Sequence, residues 1–267
     1  SGGIGYHVAG HIPERPVARR GFKDPNDPDD AWIGNYAFSE LPQLIDPDRD
    51  WIASANNPPW SGNRPYLHLG SWSDGYRFRR IRQRIASQAQ HDMDSVGAIH
   101  ADTVLGRAED LAPIVAAIAN GGPNKGIREL GDILTAWDGD YGVDETGPTV
   151  FSAFWNQWLT RVASARFPDH LVNLTKDRCS GVACQILQGE SGVWLGEDVS
   201  IEKEVIAALK DTLAWIREKI GPRKSSWRWG KLHTVTFSHP CAQSDELKKL
   251  LNVGPAETSG VTGTVRA

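Results

Sequence analysis

The stretch Trp51–Ile81, WIASANNPPWSGNRPYLHLGSWSDGYRFRRI, decides how this chain is read. Trp51, Ile52 and Ala53 suit a strand over residues 51–55, and Pro58-Pro59 stops it, because proline has no N–H to give to a ladder. Asn56 and Asn57 therefore stand at a strand end. An asparagine amide placed there can offer its N–H₂ to negative charge developing on a carbonyl oxygen, the task of an oxyanion-hole donor. Downstream, Gly75-Tyr76-Arg77 opens an arginine-rich helical pattern. Amides at a strand end followed by a cationic helix start describe a site rather than a core.

Working outward, the chain of 267 residues with 40% hydrophobic content can bury a sizeable core in one or two domains. A net charge of −4 gives no reason to expect nucleic acid as a partner. No apolar run approaches the roughly 20 residues that would span a bilayer. The start carries no signal-peptide pattern, so any export signal is expected upstream or already removed.

The order of elements reads as α+β. Residues 4–12 read as a strand, and residues 17–50, rich in Pro and Asp (GFKDPNDPDD), as an irregular surface excursion. Helices are expected over 73–87, 92–104, 107–119 and 127–137, the last ending at the turn Asp138-Gly139-Asp140. Pro148 opens an amphipathic helix whose Phe151, Phe154, Trp155, Trp158, Leu159 and Val162 form a core stripe. A further helix over 200–220 buries Val205, Ala208, Leu209, Leu213 and Ile216 and stops at Gly221-Pro222. Lys231 to Ser238 reads as a returning strand.

Several residues that could carry chemistry have plainer explanations. Arg77, Arg79, Arg80, Arg82 and Arg84 alternate along one helix as a solvated face would. Asp92 and Asp94 in HDMD offer hard oxygen ligands, yet both suit a helix N-terminus. His233 and His239 flank a strand and read as structural. Cys179 and Cys184 could form a local disulfide or stay as two buried thiols, with Cys241 left over; no second pair completes a zinc site. Eleven tryptophans would also suit a carbohydrate-binding module if their rings were exposed, but Trp155 and Trp158 follow core spacing.

Several blocks in one order resemble the penicillin amidase family, N-terminal-nucleophile (Ntn) hydrolases that cleave amide bonds in acylated compounds. They are IGYHVAGHIPERP (Ile4–Pro16), FSELPQLIDPDRDWIASANN (Phe38–Asn57, with Asp50 where glycine is usual), DMDSVGAIHADT (Asp92–Thr103), ILTAWDGDYGVDETGPTVFSAFW (Ile133–Trp155) and WRWGKLHTVTFSHP (Trp227–Pro240). Blocks in order across nearly the whole chain are far more specific than any one of them.

The resemblance implies part of an Ntn-hydrolase αββα sandwich with a substantial helical region. Residues 1–267 would then be an internal part of the large subunit, one domain incomplete at both ends. It implies that Asn56 helps form the oxyanion hole and that Arg77 approaches both this asparagine and the nucleophile's amine. The family's nucleophile heads a strand well upstream of the GY-x-x-x-G block. SGGIGYHVAG does not match that pattern, so Ser1 is not expected to be the nucleophile, whose position is left unknown.

A companion small subunit or the remainder of the polypeptide is the expected partner, covering an aromatic face around Trp51 and Trp60. The expected substrate is a small acylated amide, and the expected setting is the periplasm or the exterior. The chain alone is expected to be inactive. No cofactor is expected: family members often bind a structural calcium, but the matching positions near Lys23 and Leu67 lack the usual acidic or proline pattern. Acyl-homoserine lactones or acylated lipopeptides are the alternative substrates within the family.

Overall fold

In the computed structural model, which describes residues 2–17, 21–58, 72–190 and 192–266, the chain forms two compact units, residues 1–82 and 83–267. Short antiparallel pairs build the first unit. Strands β1 (Gly5–His7), β2 (Pro13–Glu14), β3 (Gly34–Asn35) and β4 (Gln43–Ile45) pair as β1 with β4 and β2 with β3, setting Tyr6 opposite Leu44 and Pro13 opposite Asn35.

The strand expected over residues 4–12 is thus divided, because its two ends pair with different segments. Val8 N–H still reaches the Pro42 carbonyl at 2.9 Å, whereas the Ile12 carbonyl already accepts from Tyr36 N–H at 3.0 Å. Both partners come from residues 17–50, so that stretch is not merely an irregular surface excursion. It also folds into short 3₁₀ turns at Pro28–Asp30 and Phe38–Glu40 and buries Asp30 and Leu41.

Residues 51–55 depart from expectation as well. They form no ladder with any described strand. Instead the Ala55 N–H is held by Asn57 Oδ1 at 2.9 Å, and the Ala55 carbonyl accepts from Ser73 Oγ at 3.0 Å. Aromatic and β-compatible residues favour an extended backbone, but a strand exists only where a second chain segment supplies the hydrogen bonds.

Helix α1 (Tyr76–Ala86) starts within the first unit, at Gly75, whose carbonyl accepts the Arg79 N–H at 2.8 Å. Gly75 has φ +83°, where a side chain would be strained, so glycine suits this helix entry.

Helices dominate the second unit: α2 (Met93–His100), α3 (Gly106–Asn120), α4 (Lys125–Thr135), α5 (Gly147–Ser164), α6 (Asp169–Thr175), α7 (Ser180–Leu187) and α8 (Ile201–Lys219). Helix α2 ends four residues short of the expected 104, where Asp102 turns its carboxylate onto Val104 N–H at 3.2 Å and toward Arg84 at 3.3 Å. Helices α4, α5 and α8 begin as their sequences dictate. Asn124 caps α4 by accepting from Ile127 N–H at 3.1 Å, Pro148 sits in the first turn of α5, and Ser200 Oγ accepts from Lys203 N–H at 3.4 Å.

The core lies along α5. Phe151, Phe154, Trp158, Leu159 and Val162 are buried as their spacing requires, while Trp155 is half-exposed under the Arg107 guanidinium at 4.8 Å. Helix α8 supplies the facing surface with Val205, Ala208, Leu209, Leu213 and Ile216, all buried. Arg161 ties the two helices together, donating to Glu204 at 2.8 Å and Asp211 at 2.7 Å. The Trp158 indole N–H crosses to the Ala183 carbonyl of α7 at 3.1 Å.

Strand β5 (Thr234–Phe237) pairs antiparallel with β6 (Val253–Glu257), and between them runs helix α9 (Asp245–Leu251). Helices α6, α7 and α9 and strand β6 were not anticipated. Cys179 and Cys184 are two buried thiols, the second of the readings left open. Five residues along helical backbone place side chains about 140° apart, which carries the two sulfurs to different faces.

Candidate active site

The site begins where the extended segment 51–55 turns. Asn56 adopts φ +60°, in the left-handed region that asparagine tolerates better than most residues. Its neighbour Asn57 is given over to the backbone: Oδ1 accepts from Ala55 N–H at 2.9 Å and Nδ2 donates to the Pro58 carbonyl at 2.9 Å. From the other side of the turn, Ser73 N–H donates to the Asn56 carbonyl at 2.8 Å and Ser73 Oγ to the Ala55 carbonyl at 3.0 Å. Holding the turn is therefore done by the neighbours of Asn56. The Asn56 side chain is left exposed and free of backbone bonding among the described residues.

Arg77 comes from the first turn of α1, and its guanidinium donates a hydrogen bond to Asn56 Oδ1. This contact settles which way the amide faces. A guanidinium has five donors and no acceptor, so Oδ1 must turn toward it and both Nδ2 hydrogens must point away. The cation also draws electron density toward Oδ1, which makes the N–H₂ a stronger donor. Other arginines of α1 are engaged elsewhere: Arg79 lies over the Tyr76 ring at 5.0 Å, Arg82 over Phe78 at 5.6 Å, and Arg84 faces Asp102. An outward amide donor backed by a fixed cation can stabilise negative charge on a carbonyl oxygen.

The remaining candidates have structural roles. Asp92 caps α2, accepting from Ser95 N–H at 2.8 Å, and this bond holds its carboxyl below the usual range. His233 stacks on Trp229 with ring centroids 4.8 Å apart and donates from Nδ1 to the Thr258 carbonyl at 2.9 Å. His239 Nδ1 accepts from Cys241 N–H at 3.1 Å.

Residues near Lys23 do not fit a calcium ion. The buried Asp30 carboxylate is occupied by the Lys23 ammonium at 3.4 Å and by Asp24 N–H at 2.9 Å. Among the described residues no group of three His, Cys, Asp or Glu side chains converges to hold a metal. Ser1, Trp60 and Leu67 lie outside the described residues. No helix among the described residues is long and apolar enough to cross a membrane.

Sequence reasoning missed Ser73. It reads locally as the lead-in to a helix, and its bonds to Ala55 and Asn56 are made by the fold rather than by any short motif.

One position explains itself. Asp50, standing where the family resemblance has glycine, takes φ +56°, the conformation glycine adopts without strain.

The penicillin amidase family model matches residues 1–267. Penicillin acylase 2 proenzyme of Pseudomonas sp. (strain SE83) is 26% identical over 275 residues, covering 100% of this chain and 35% of that protein. Acyl-homoserine lactone acylase QuiP of Pseudomonas aeruginosa is 23% identical over 293 residues, covering 97% of this chain and 33% of that protein. The chain thus spans about a third of these relatives. Among solved structures, a thermostable penicillin G acylase from Alcaligenes faecalis superposes with a TM-score of 0.67 at 16% identity, over 85% of this chain and 46% of that one. That likeness shows the fold, the α+β fold of an Ntn hydrolase. With the family model matching from end to end and its ordered blocks present, this chain belongs to the penicillin amidase family.

Proposed function

We propose that the enzyme carrying this chain hydrolyses the amide bond of acylated amines through an acyl-enzyme, with Asn56 as an oxyanion donor and Arg77 as its orienting cation. The observation that carries this reading is the hydrogen bond from Arg77 to Asn56, made across 21 residues of sequence. It joins the two residues that chemistry and resemblance single out.

In the proposed reaction the hydroxyl of an N-terminal serine outside this chain attacks the acyl carbonyl, its proton passing to the serine's own amine. The carbonyl oxygen becomes an oxyanion that accepts from Asn56 Nδ2–H. Collapse of the tetrahedral intermediate breaks the C–N bond, and the leaving amine takes the proton. Water then attacks the ester, giving a proton to the serine's amine, and Asn56 Nδ2–H stabilises the second oxyanion; its collapse breaks the ester C–O bond, releases the carboxylic acid and returns the proton to the serine oxygen. A positive guanidinium nearby favours the neutral, basic form of the serine's amine, because two like charges in one site repel.

Penicillins and acyl-homoserine lactones, after which the two relatives are named, are the substrate classes to try first, with acylated lipopeptides third. That the Pseudomonas sp. relative is named a proenzyme supports a precursor processed into a heterodimer, of which this chain is part of the larger subunit. A periplasmic or secreted setting belongs to the same proposal.

A carbohydrate-binding module is disfavoured by the tryptophans. Among the described residues only Trp32 and Trp72 are exposed. The indole N–H groups of Trp137, Trp158, Trp194, Trp227 and Trp229 all bond to backbone carbonyls.

The test is an assay of the complete enzyme on phenylacetyl amides, longer acyl amides and acyl-homoserine lactones, reading released amine. Turnover of at least one class with transient acylation of the N-terminal residue is expected. Absence of amine release from all three would contradict the proposal.

A further inference from the structure

An oxyanion donor is useful only if its N–H₂ returns to one place, and Asn56 has two features that work against this. It is exposed, and its backbone lies in the left-handed region, which a non-glycine residue holds only when its surroundings fix it. The torsions of Asn56 relate two peptide planes: the one containing the Ala55 carbonyl and the one containing the Asn56 carbonyl. Ser73 holds both. Its Oγ donates to the first carbonyl at 3.0 Å and its backbone N–H to the second at 2.8 Å. With both planes tied to one residue, φ and ψ of Asn56 are fixed together.

Ser73 also stands just ahead of α1, with Asp74 and Gly75 between it and Tyr76. The residue that sets the Asn56 backbone is thus linked through a few bonds to the helix whose Arg77 sets the Asn56 side chain. Replacing Ser73 by alanine would release the first plane and keep the second, since only the hydroxyl is lost.

We propose that Ser73 is a positioning residue for the hydrolytic reaction, acting through Asn56 by clamping the two peptide planes that flank it. This rests on the reading of Asn56 as the oxyanion donor. The contribution should fall on the step in which charge develops on the carbonyl oxygen, because a misplaced donor weakens transition-state binding while substrate binding is little affected.

The test is a double-mutant cycle in the complete enzyme with Ser73→Ala and Asn56→Ala, accompanied by Ser73→Thr and Ser73→Cys, measuring kcat, KM and melting temperature for each. Ser73→Ala is expected to lower kcat roughly tenfold, the size of one net hydrogen bond, with KM changed less than about twofold. Ser73→Thr, which keeps the hydroxyl, should restore kcat, and Ser73→Cys, with its weak S–H donor, should fall between them. In the Asn56→Ala background the loss caused by Ser73→Ala should vanish, since there is no donor left to position.

Additive losses, or Ser73→Thr as impaired as Ser73→Ala, would overturn the proposal. So would wild-type kcat in Ser73→Ala when Asn56→Ala is impaired. Wild-type kcat in Asn56→Ala would overturn the oxyanion reading itself, a result separable from the others because it involves Asn56 alone. If Ser73→Ala does not fold, the order Thr above Cys still decides, and equal kcat in those two would count against the role.

Discussion

At the residue scale, Asn56 and Asp50 both hold left-handed backbone, at φ +60° and +56°. Asp50 makes no catalytic contact on this account, so its conformation should govern what the position accepts. A β-branched side chain there is expected to cost about 1–2 kcal/mol, the penalty of placing it in left-handed backbone, while glycine is tolerated. Thermal melts of Asp50→Val and Asp50→Gly would check this, and equal melting temperatures would contradict it.

Thiol chemistry supplies a second residue-scale prediction. Burial pushes the Cys179 thiol above its ordinary range, so the reactive thiolate is scarce at neutral and mildly alkaline pH. Cys241 is exposed. Alkylation of the native protein near pH 8 should label Cys241 first and reach Cys179 and Cys184 only on unfolding, as peptide mapping by mass would show. Early labelling of Cys179 would mean that the α6–α7 region opens readily.

At the scale of elements, the second unit is held by close approach at the entry to α5. A Cβ on Gly147 would collide with the Trp137 ring, and that ring in turn packs against Tyr141 at 5.4 Å and Phe151 at 5.8 Å. Gly147→Ala is therefore expected to destabilise by about 1–3 kcal/mol through overpacking, measured by urea unfolding. An unchanged midpoint would show that Trp137 is free to move.

This region also marks what the sequence could disclose. The α5 and α8 stripes were legible because burial follows the 3.6-residue period along one continuous segment. Asn56 stood out as a candidate because side-chain chemistry and turn signals coincide there, and Arg77 through the family resemblance; the hydrogen bond between them is a product of the fold. Strands β3 and β4 were not, since two- and three-residue strands in a Pro- and Asp-rich stretch have no room for an alternating pattern. Residues 51–55 misled for the opposite reason: their composition favours extension, but pairing is a property of the partner. Ser73 escaped notice because its partners lie 17 and 18 residues back in the chain.

The extended segment carries a prediction of its own. Ile52 and Ala53 have no ladder with the described residues, so their amides should exchange fast with solvent in the isolated chain. They should become slow in the complete enzyme if another segment adds a strand beside them. Hydrogen exchange read by mass or NMR measures both. Slow exchange at Ile52 and Ala53 in the isolated chain would show that this segment needs no outside partner.

At the scale of the whole molecule, the proposed mechanism has this chain contribute the donor that stabilises negative charge and takes the nucleophile from outside it. A donor already aimed by Arg77 needs little reorganisation when the oxyanion forms, and its benefit is felt in the transition state rather than in substrate binding. Arg77→Ala should lower activity too, through the loss of that aim. The most direct measurement is single-turnover acylation of the complete enzyme, wild type against Asn56→Ala, with substrate affinity obtained from the same concentration series. The account predicts an acylation rate lower by roughly 10²–10³-fold at nearly unchanged affinity, the effect of removing one oxyanion-hole donor. Equal acylation rates in the two proteins would contradict it.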